Sequence, residues 1–207
     1  MINRTVVAAK LVVLTLVMGS TAGCAAMMLA GEAVRSGQRD VDFMFTNGAT
    51  AQTLKGKKKL GISVQATNQS TGQYPGSGNG TAVFSDLIAK DFLKLGYGAR
   101  TISQVVSEDA PANTLKAIAA KGTAIVLIGN MNLAMSTSYA SAMTGGNYLD
   151  TGVISFTVKG LDPLSGEVLF ILSAEYGTAR SAAEVAKDLA QIYDDAVNGR
   201  PIKSAKT

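Results

Sequence analysis

Hydrophobic residues recur with two different periods along the chain from residue 60 onward. In Leu60–Ala66 every second residue is apolar, which predicts a strand, and Thr123–Ile128 is an unbroken apolar run short enough to be a buried strand. Ala82–Leu95 instead carries apolar side chains three, four and seven positions apart, which is typical of an amphipathic helix. The same criteria predict strands at Tyr97–Ile102, Gly152–Leu161 and Glu167–Tyr176, and helices after Pro111 and after Ser181.

Turn and capping residues separate these predicted elements. Gly96 favours the left-handed conformation that ends a helix, and Asp162–Gly166 has turn composition. Ser181 and Glu184 match a capping box, and Asp109 is a candidate cap for the helix after Pro111. The resulting order, β-α-β-α-β-β-β-α, predicts an α/β (α+β) fold with a mixed sheet of about five strands and three helices.

The first residues have the layout of a secretory leader. Arg4 and Lys10 precede the apolar run Leu11–Met18, and small residues lead to Cys24. This run is shorter than the roughly 20 residues that a membrane-spanning helix needs. The Ala-Gly-Cys end resembles a bacterial lipobox, which predicts a lipoprotein signal peptide at 1–23 and an acyl anchor on Cys24. An ordinary signal peptide with an incidental cysteine is the alternative.

The segment between the leader and the first predicted strand lacks a regular period. We therefore predict a lipid-anchored tether at 24–59, an α/β domain at 60–200 and a short tail at 201–207. The tether ends in the basic run Lys55–Lys59. Two interpretations of this run stay open: a solvated entrance to the strand, and a contact with anionic lipid or glycan.

The amino-acid composition excludes several classes of catalytic and metal site. The 207-residue chain has no histidine and one cysteine, which excludes histidine-dependent nucleophile systems, histidine-ligated zinc and internal disulfides. The net charge is +4, from 19 Lys and Arg against 15 Asp and Glu. Without residues 1–23 it falls to +2, because Arg4 and Lys10 are lost. Nothing in this balance favours a nucleic-acid partner.

Four segments, taken in order, resemble the curli-secretion (CsgG-like) outer-membrane lipoprotein family. They are Thr71–Pro75, Thr81–Val83, Ala124–Gly129 and the strand-turn-strand segment Val153–Leu169. The resemblance implies a fold similar to CsgG and TolB N-terminal-like domains. It departs from the barrel-forming members, because Ser138–Thr151 has room for one membrane strand at most and no apolar alternation. We therefore expect a barrel-less variant.

The resemblance also implies a function. It implies a non-enzymatic lipoprotein anchored in the outer membrane and facing the periplasm, which forms rings with its own copies in a curli-like or exopolysaccharide export assembly with other envelope proteins. A monomeric periplasmic regulator of a cell-wall synthase and a flagellar accessory ring lipoprotein are the alternatives. In the loop after the first strand, Gln73, Tyr74 and Asn79 are candidates for a pore or interface.

The sequence motifs for phosphate binding and for glycoside hydrolysis are poor matches. Gly76–Gly80 has glycines at alternate positions, which is not the spacing of a phosphate-binding loop. Glycoside hydrolysis needs two carboxylates about 5–9.5 Å apart, and the acid pairs Glu108-Asp109 and Asp194-Asp195 are its candidates, with alanine at Asp109 and Glu175 as the test. Asp109 is instead interpreted as a helix cap, and Asp194-Asp195 as solvated surface. We predict no catalytic residue, no metal site, no cofactor and no nucleic-acid partner.

Overall fold

The structure of the chain is a computed structural model, and it describes residues 38–68, 79–137 and 149–202. The predicted signal peptide, the predicted lipidation site Cys24 and residues 203–207 of the predicted tail lie outside this description. So do Gln73 and Tyr74 of the candidate loop.

The described residues form six strands and four helices, which confirms the predicted fold class. The strands are β1 (Arg39–Phe45), β2 (Lys59–Asn68), β3 (Gly98–Thr101), β4 (Ile125–Thr137), β5 (Leu149–Leu161) and β6 (Val168–Arg180). The helices are α1 (Ala51–Lys55), α2 (Asn79–Lys94), α3 (Ala112–Ala120) and α4 (Ala182–Val197).

The strands form one mixed sheet in the order β1-β6-β5-β4-β2-β3. β2 pairs in parallel with β3 and with β4, as the two helical crossovers require. β4, β5, β6 and β1 are successively antiparallel. We call the end of the sheet where β2 begins and β5 turns into β6 the basal end.

The sheet carries apolar clusters on both faces. The larger cluster packs α2 and α4 on one face and includes Phe92, Phe170 and Tyr193, all fully buried. The smaller cluster lies on the other face, where Leu115 and Ile118 of α3 cover part of the sheet. Burial of both β4 faces explains the unbroken apolar run of this strand.

The described part of the predicted tether, residues 38–59, belongs to the domain, so the expected boundary at residue 60 is corrected. β1 pairs along its whole length with β6, from Arg39 opposite Tyr176 to Phe45 opposite Phe170. α1 buries Leu54 completely and is held by a capping box between Thr50 and Thr53. The alternation of Val41, Phe43 and Phe45 with Asp40, Asp42 and Met44 was the available sequence evidence for a strand.

Most predicted helix ends are confirmed. Ser181 and Glu184 form the predicted capping box of α4, and Gly96 has the predicted left-handed conformation with a φ of +85°. The predicted cap of α3 was wrong: Pro111 is the N-cap residue and no side chain caps the helix, so Asp109 does not. Pro111 supplies a suitable φ without a side-chain bond.

Candidate functional site

One predicted site residue falls within the description. Asn79 is the first residue of α2, three positions before the predicted helix begins at Ala82. Its side chain, like those of Gln73 and Tyr74, lies outside the described residues. Their role at a pore or interface therefore stays a prediction, as does lipidation of Cys24.

The carboxylates singled out for hydrolysis sit in ordinary surroundings. Glu108 forms an ion pair with Lys159, and Asp109 is exposed in the segment before α3. Glu175 is exposed on β6. Within residues 38–68, 79–137 and 149–202, no three carboxylate or thiol groups are arranged to hold a metal ion, and no helix has the length and hydropathy to cross a membrane.

A large part of one sheet face is open to the outside. α3 and the segment before it cover β2, β4 and the basal ends of β5 and β6, through contacts to residues such as Val126 and Leu161. Beyond that area Met44 is 50% exposed and pairs with Ile171 across the β1–β6 ladder. We call this surface the open face. Its other exposed members are Asp40, Asp42, Asn130, Thr157 and Glu175.

The lysine run meets the β5–β6 turn at the basal end. Lys57 Nζ lies 2.8 Å from Oδ2 of Asp162. Partial burial raises the pKa of the Asp162 carboxyl, but hydrogen bonds from Lys57 and from the Leu164 amide outweigh burial, and the net pKa is below its ordinary value. Lys57 is thus neutralised by an ion pair that stabilises the β5–β6 turn.

Next to this pair is a cavity of about 310 Å³ between the ends of α2 and α4, bordered by two more lysines of the run. Its wall contains Asp194, which is 9% exposed and accepts hydrogen bonds from the Tyr97 hydroxyl at 2.8 Å and from Asn198 Nδ2 at 2.9 Å. Arg200 forms ion pairs with Asp194 and Asp195. Asp194 is therefore buried and satisfied, not the solvated carboxylate that its sequence position indicated. The cavity-lining residues are Lys55, Lys58, Leu95, Gly96, Tyr97, Asp194, Val197, Asn198 and Arg200.

A second polar cluster lies at the opposite end of the sheet, where the chain enters β1. Arg39 Nη1 donates to Asp188 Oδ1 at 2.7 Å, and the Tyr176 hydroxyl donates to Asp188 Oδ2 at 3.2 Å. The Arg180 guanidinium sits 4.8 Å from the centre of the Tyr176 ring. Burial first, and the Asp188 carboxylate second, raise the pKa of the Tyr176 hydroxyl. The cluster ties β1 and β6 to α4, and sequence reasoning missed it because its members come from three separate elements.

The chain has only a low similarity to proteins of known structure. Neither a family model nor a curated protein matches the chain. The PelC dodecamer from Paraburkholderia phytofirmans in space group P6 is 15% identical, with a TM-score of 0.47 over 79% of this chain and 100% of that one. A variant PelC dodecamer from the same organism in space group C2 is 14% identical, with the same TM-score and the same coverage. Similarity at this level assigns neither a family nor a function to the chain.

Proposed function

We propose that the chain is a non-enzymatic lipoprotein, anchored to the outer membrane through Cys24 and facing the periplasm, which assembles with its own copies as an accessory subunit of an envelope export assembly. The leader pattern that ends at Cys24 supports the anchor. The observation that carries the assembly is the open face, because it is the large part of the sheet that no described helix covers.

The open face has the mixed character of a protein interface. Met44 and Ile171 form an apolar pair near the basal end of β1 and β6, and the rest of the face is polar; further along it, Asn132 Nδ2 donates to Ser155 Oγ at 2.8 Å. Interfaces between non-obligate partners likewise combine apolar and polar area. An antiparallel sheet can also face water on one side, so the assembly needs a direct test.

Light scattering of the full chain, extracted from membranes in detergent, measures assembly. We expect the wild-type protein to be a multimer of defined mass. Met44→Asp places a charge on the apolar pair of the open face and is expected to lower the mass toward that of one chain. Leu93→Asp is the matched control, because Leu93 is similarly exposed, at 54%, but lies on α2 on the other side of the sheet.

The outcomes separate the proposal from its alternatives. A wild-type protein that stays monomeric at every concentration would overturn the assembly and favour a monomeric periplasmic regulator. Equal masses for the wild type and both variants would place the interface elsewhere on the molecule and remove the open face as its basis.

The anchor is tested separately by mass spectrometry of the amino-terminal peptide. We expect this peptide to begin at Cys24 and to carry the mass of acyl chains, since stable anchoring needs at least two. A processed amino terminus without acyl groups contradicts the anchor. It would instead support the ordinary signal peptide.

A further inference from the structure

The lysine run contributes more positive charge to the basal end than the neighbouring carboxylates neutralise. Lys55 and Lys58 border the basal cavity and have no carboxylate partner among the described residues. Lys59 is equally exposed and points toward the turn after α3, where its Nζ lies 3.6 Å from the position that a Cβ on Gly122 would take. Lys121 precedes Gly122 and is exposed as well.

The acidic groups at this end are already engaged. Asp162 is paired with Lys57, and Asp194 and Asp195 are paired with Arg200. Glu167 is exposed, and its carboxylate accepts a hydrogen bond from Ser165. In the described part of the chain, the four lysines therefore outnumber the two carboxylates at the basal end that have no lysine or arginine partner, Glu167 and, in the segment before α3, Asp109, which leaves a net positive surface there.

Helix ends explain only part of this charge. α2, α3 and α4 all finish at the basal end, where cations stabilise the exposed carbonyl groups. Lys94, Lys121 and Arg200 stand at or just beyond those three ends. Lys58 and Lys59 belong to no helix, and Lys55 ends a helix of five residues, so none of the three is a residue of the ends of α2, α3 or α4.

An exposed leucine stands at the tip of the β5–β6 turn, which Lys57 contacts through Asp162. Leu164 is 74% exposed, the highest value among the large apolar side chains described. The turn is held by the Leu164 amide donating to Asp162 Oδ1 at 2.9 Å and by the Gly166 amide donating to the Asp162 carbonyl at 2.7 Å. Leu164 is thus presented on a fixed backbone, which lowers the entropy lost when it is buried against a partner.

We infer that the basal end docks on an anionic phospholipid surface, with Lys55, Lys58 and Lys59 facing the lipid phosphates and Leu164 entering the interfacial region. Basic side chains around an exposed apolar residue are the pattern with which proteins bind anionic membranes. The inference goes beyond the proposed function, because it fixes which end of the domain meets the membrane and requires no self-association.

An anchor at Cys24 is compatible with this orientation. The chain enters β1 at the end of the sheet opposite the basal end, so a short linker between Cys24 and Arg39 would hold that other end at the membrane. The 15 residue steps from Cys24 to Arg39 can span about 50 Å when extended. The longest strands have 13 residues, and a strand of that length spans about 43 Å. A linker of this length therefore allows either end of the sheet to lie at the membrane. The net positive charge of the basal end favours docking by that end.

The test uses the full chain reconstituted in vesicles, with a fluorescent dye on a cysteine introduced by Ser165→Cys next to Leu164. Vesicles contain nitroxide-labelled lipid and either phosphatidylcholine alone or about one third phosphatidylglycerol. A dye on Thr178→Cys, near the opposite end of β6, reports the other orientation. Since Cys24 is the chain's only native cysteine, each variant has one added thiol, and labelling at Cys24 itself is measured in the wild type.

We expect the dye at residue 165 to be quenched in phosphatidylglycerol vesicles and not in phosphatidylcholine, and the quenching to disappear near 1 M salt, where the screening length falls to about 3 Å. A lysine near an anionic membrane contributes about a fivefold factor, so Lys55→Gln with Lys58→Gln should lower the docked-to-free ratio about 25-fold. Lys90→Gln with Lys187→Gln, two exposed lysines elsewhere, removes the same charge and should change little.

Three results would each overturn the inference. They are equal quenching at residue 165 in both vesicle types, equal effects of the two double variants, and stronger quenching at residue 178 than at residue 165. The mass measured by light scattering is independent of all three, so failure of the docking surface and failure of self-association can be told apart.

Discussion

The hydroxyl of Tyr97 donates a 2.8 Å hydrogen bond to Oδ1 of Asp194, which joins the start of β3 to the last turn of α4. Both residues are buried, at 7% and 9% exposure. The Tyr97 ring also packs edge-on against Phe92 and Tyr193, with ring centres 5.5 and 5.6 Å apart. A buried carboxylate needs such donors, because without them its desolvation is uncompensated. The bond therefore couples the polar wall of the basal cavity to the aromatic centre of the larger cluster.

Removing this hydroxyl should destabilise the fold. Tyr97→Phe is expected to lower the free energy of unfolding by about 1.5–3 kcal/mol, the range for hydrogen bonds to charged groups. Tyr193→Phe is the matched control, since the buried Tyr193 hydroxyl has no hydrogen-bond partner among the described residues and its loss should be close to neutral. Urea denaturation measures both. Similar values for the two variants would show that the Tyr97 bond contributes no net stability.

β1 provides a direct test of the corrected domain boundary. The Phe43 ring stacks on Phe170, with ring centres 5.2 Å apart and planes 13° from parallel. Phe43→Ala should lower the free energy of unfolding by about 2 kcal/mol, less than a fully buried phenylalanine because Phe43 is only half-buried. Met44→Ala, on the exposed side of the same strand, should cost less than about 0.5 kcal/mol. A neutral Phe43→Ala variant would support the tether that the sequence predicted.

The sequence predicted those elements whose pattern is local. β2 alternates apolar and polar residues, β4 begins in an unbroken apolar run, and α4 has a helical apolar period and its own capping box at Ser181 and Glu184. These features need no knowledge of the partner strand or helix, and the structure confirms them. The β5–β6 turn was predictable for the same reason, because Asp162–Gly166 contains the turn residues themselves.

What the sequence did not predict depends on pairing between distant segments. β1 is held by β6, about 130 positions later. Asp40 and Asp42 alternate with its apolar residues, so the segment looks like a polar tether when only its composition is considered. Asp194 became a buried hydrogen-bond acceptor only because α4 ends beside Tyr97. Lys121 likewise joins the lysine run of the sequence only because the turn after α3 lies beside Lys59. Burial and partners of charged residues are tertiary properties that periodicity does not report.

Gly129 is required by the β4–β5 pairing. Its φ is +151°, and a Cβ at this position would lie 2.1 Å from the carbonyl oxygen of Thr157. Gly129→Ala should therefore lower the free energy of unfolding by roughly 3 kcal/mol, because backbone strain and overpacking each contribute about 1–3 kcal/mol. Gly56→Ala, where φ is −80° and no atom lies within 4 Å, should be neutral or slightly stabilising. Equal stabilities of the two variants by thermal or chemical denaturation would contradict this assignment.

Buried tyrosines predict how stability depends on alkaline pH. Burial raises the pKa values of the Tyr97, Tyr176 and Tyr193 hydroxyls above the ordinary value of 10.0, and nearby carboxylates raise them further. Because the folded state keeps these protons longer than the unfolded state does, the tyrosines' contribution is fully present below about pH 10 and is lost as pH rises above it. Each tyrosine contributes a slope of at most about 1.4 kcal/mol per pH unit, reached where the unfolded hydroxyl is fully ionised and the folded one is not, so the three together give at most about 4 kcal/mol per unit.

The free energy of unfolding, measured by urea denaturation from about pH 9 to about pH 12, should thus begin to fall near pH 10. Tyr176→Phe removes one titrating group and should reduce the slope by up to about 1.4 kcal/mol per pH unit, although the loss of its 3.2 Å bond to Asp188 lowers stability at every pH. The change in slope, not the offset, therefore reports the titration. If phenolate absorbance develops for all six tyrosines while the protein remains folded, the hydroxyls are accessible and their raised pKa values are refuted.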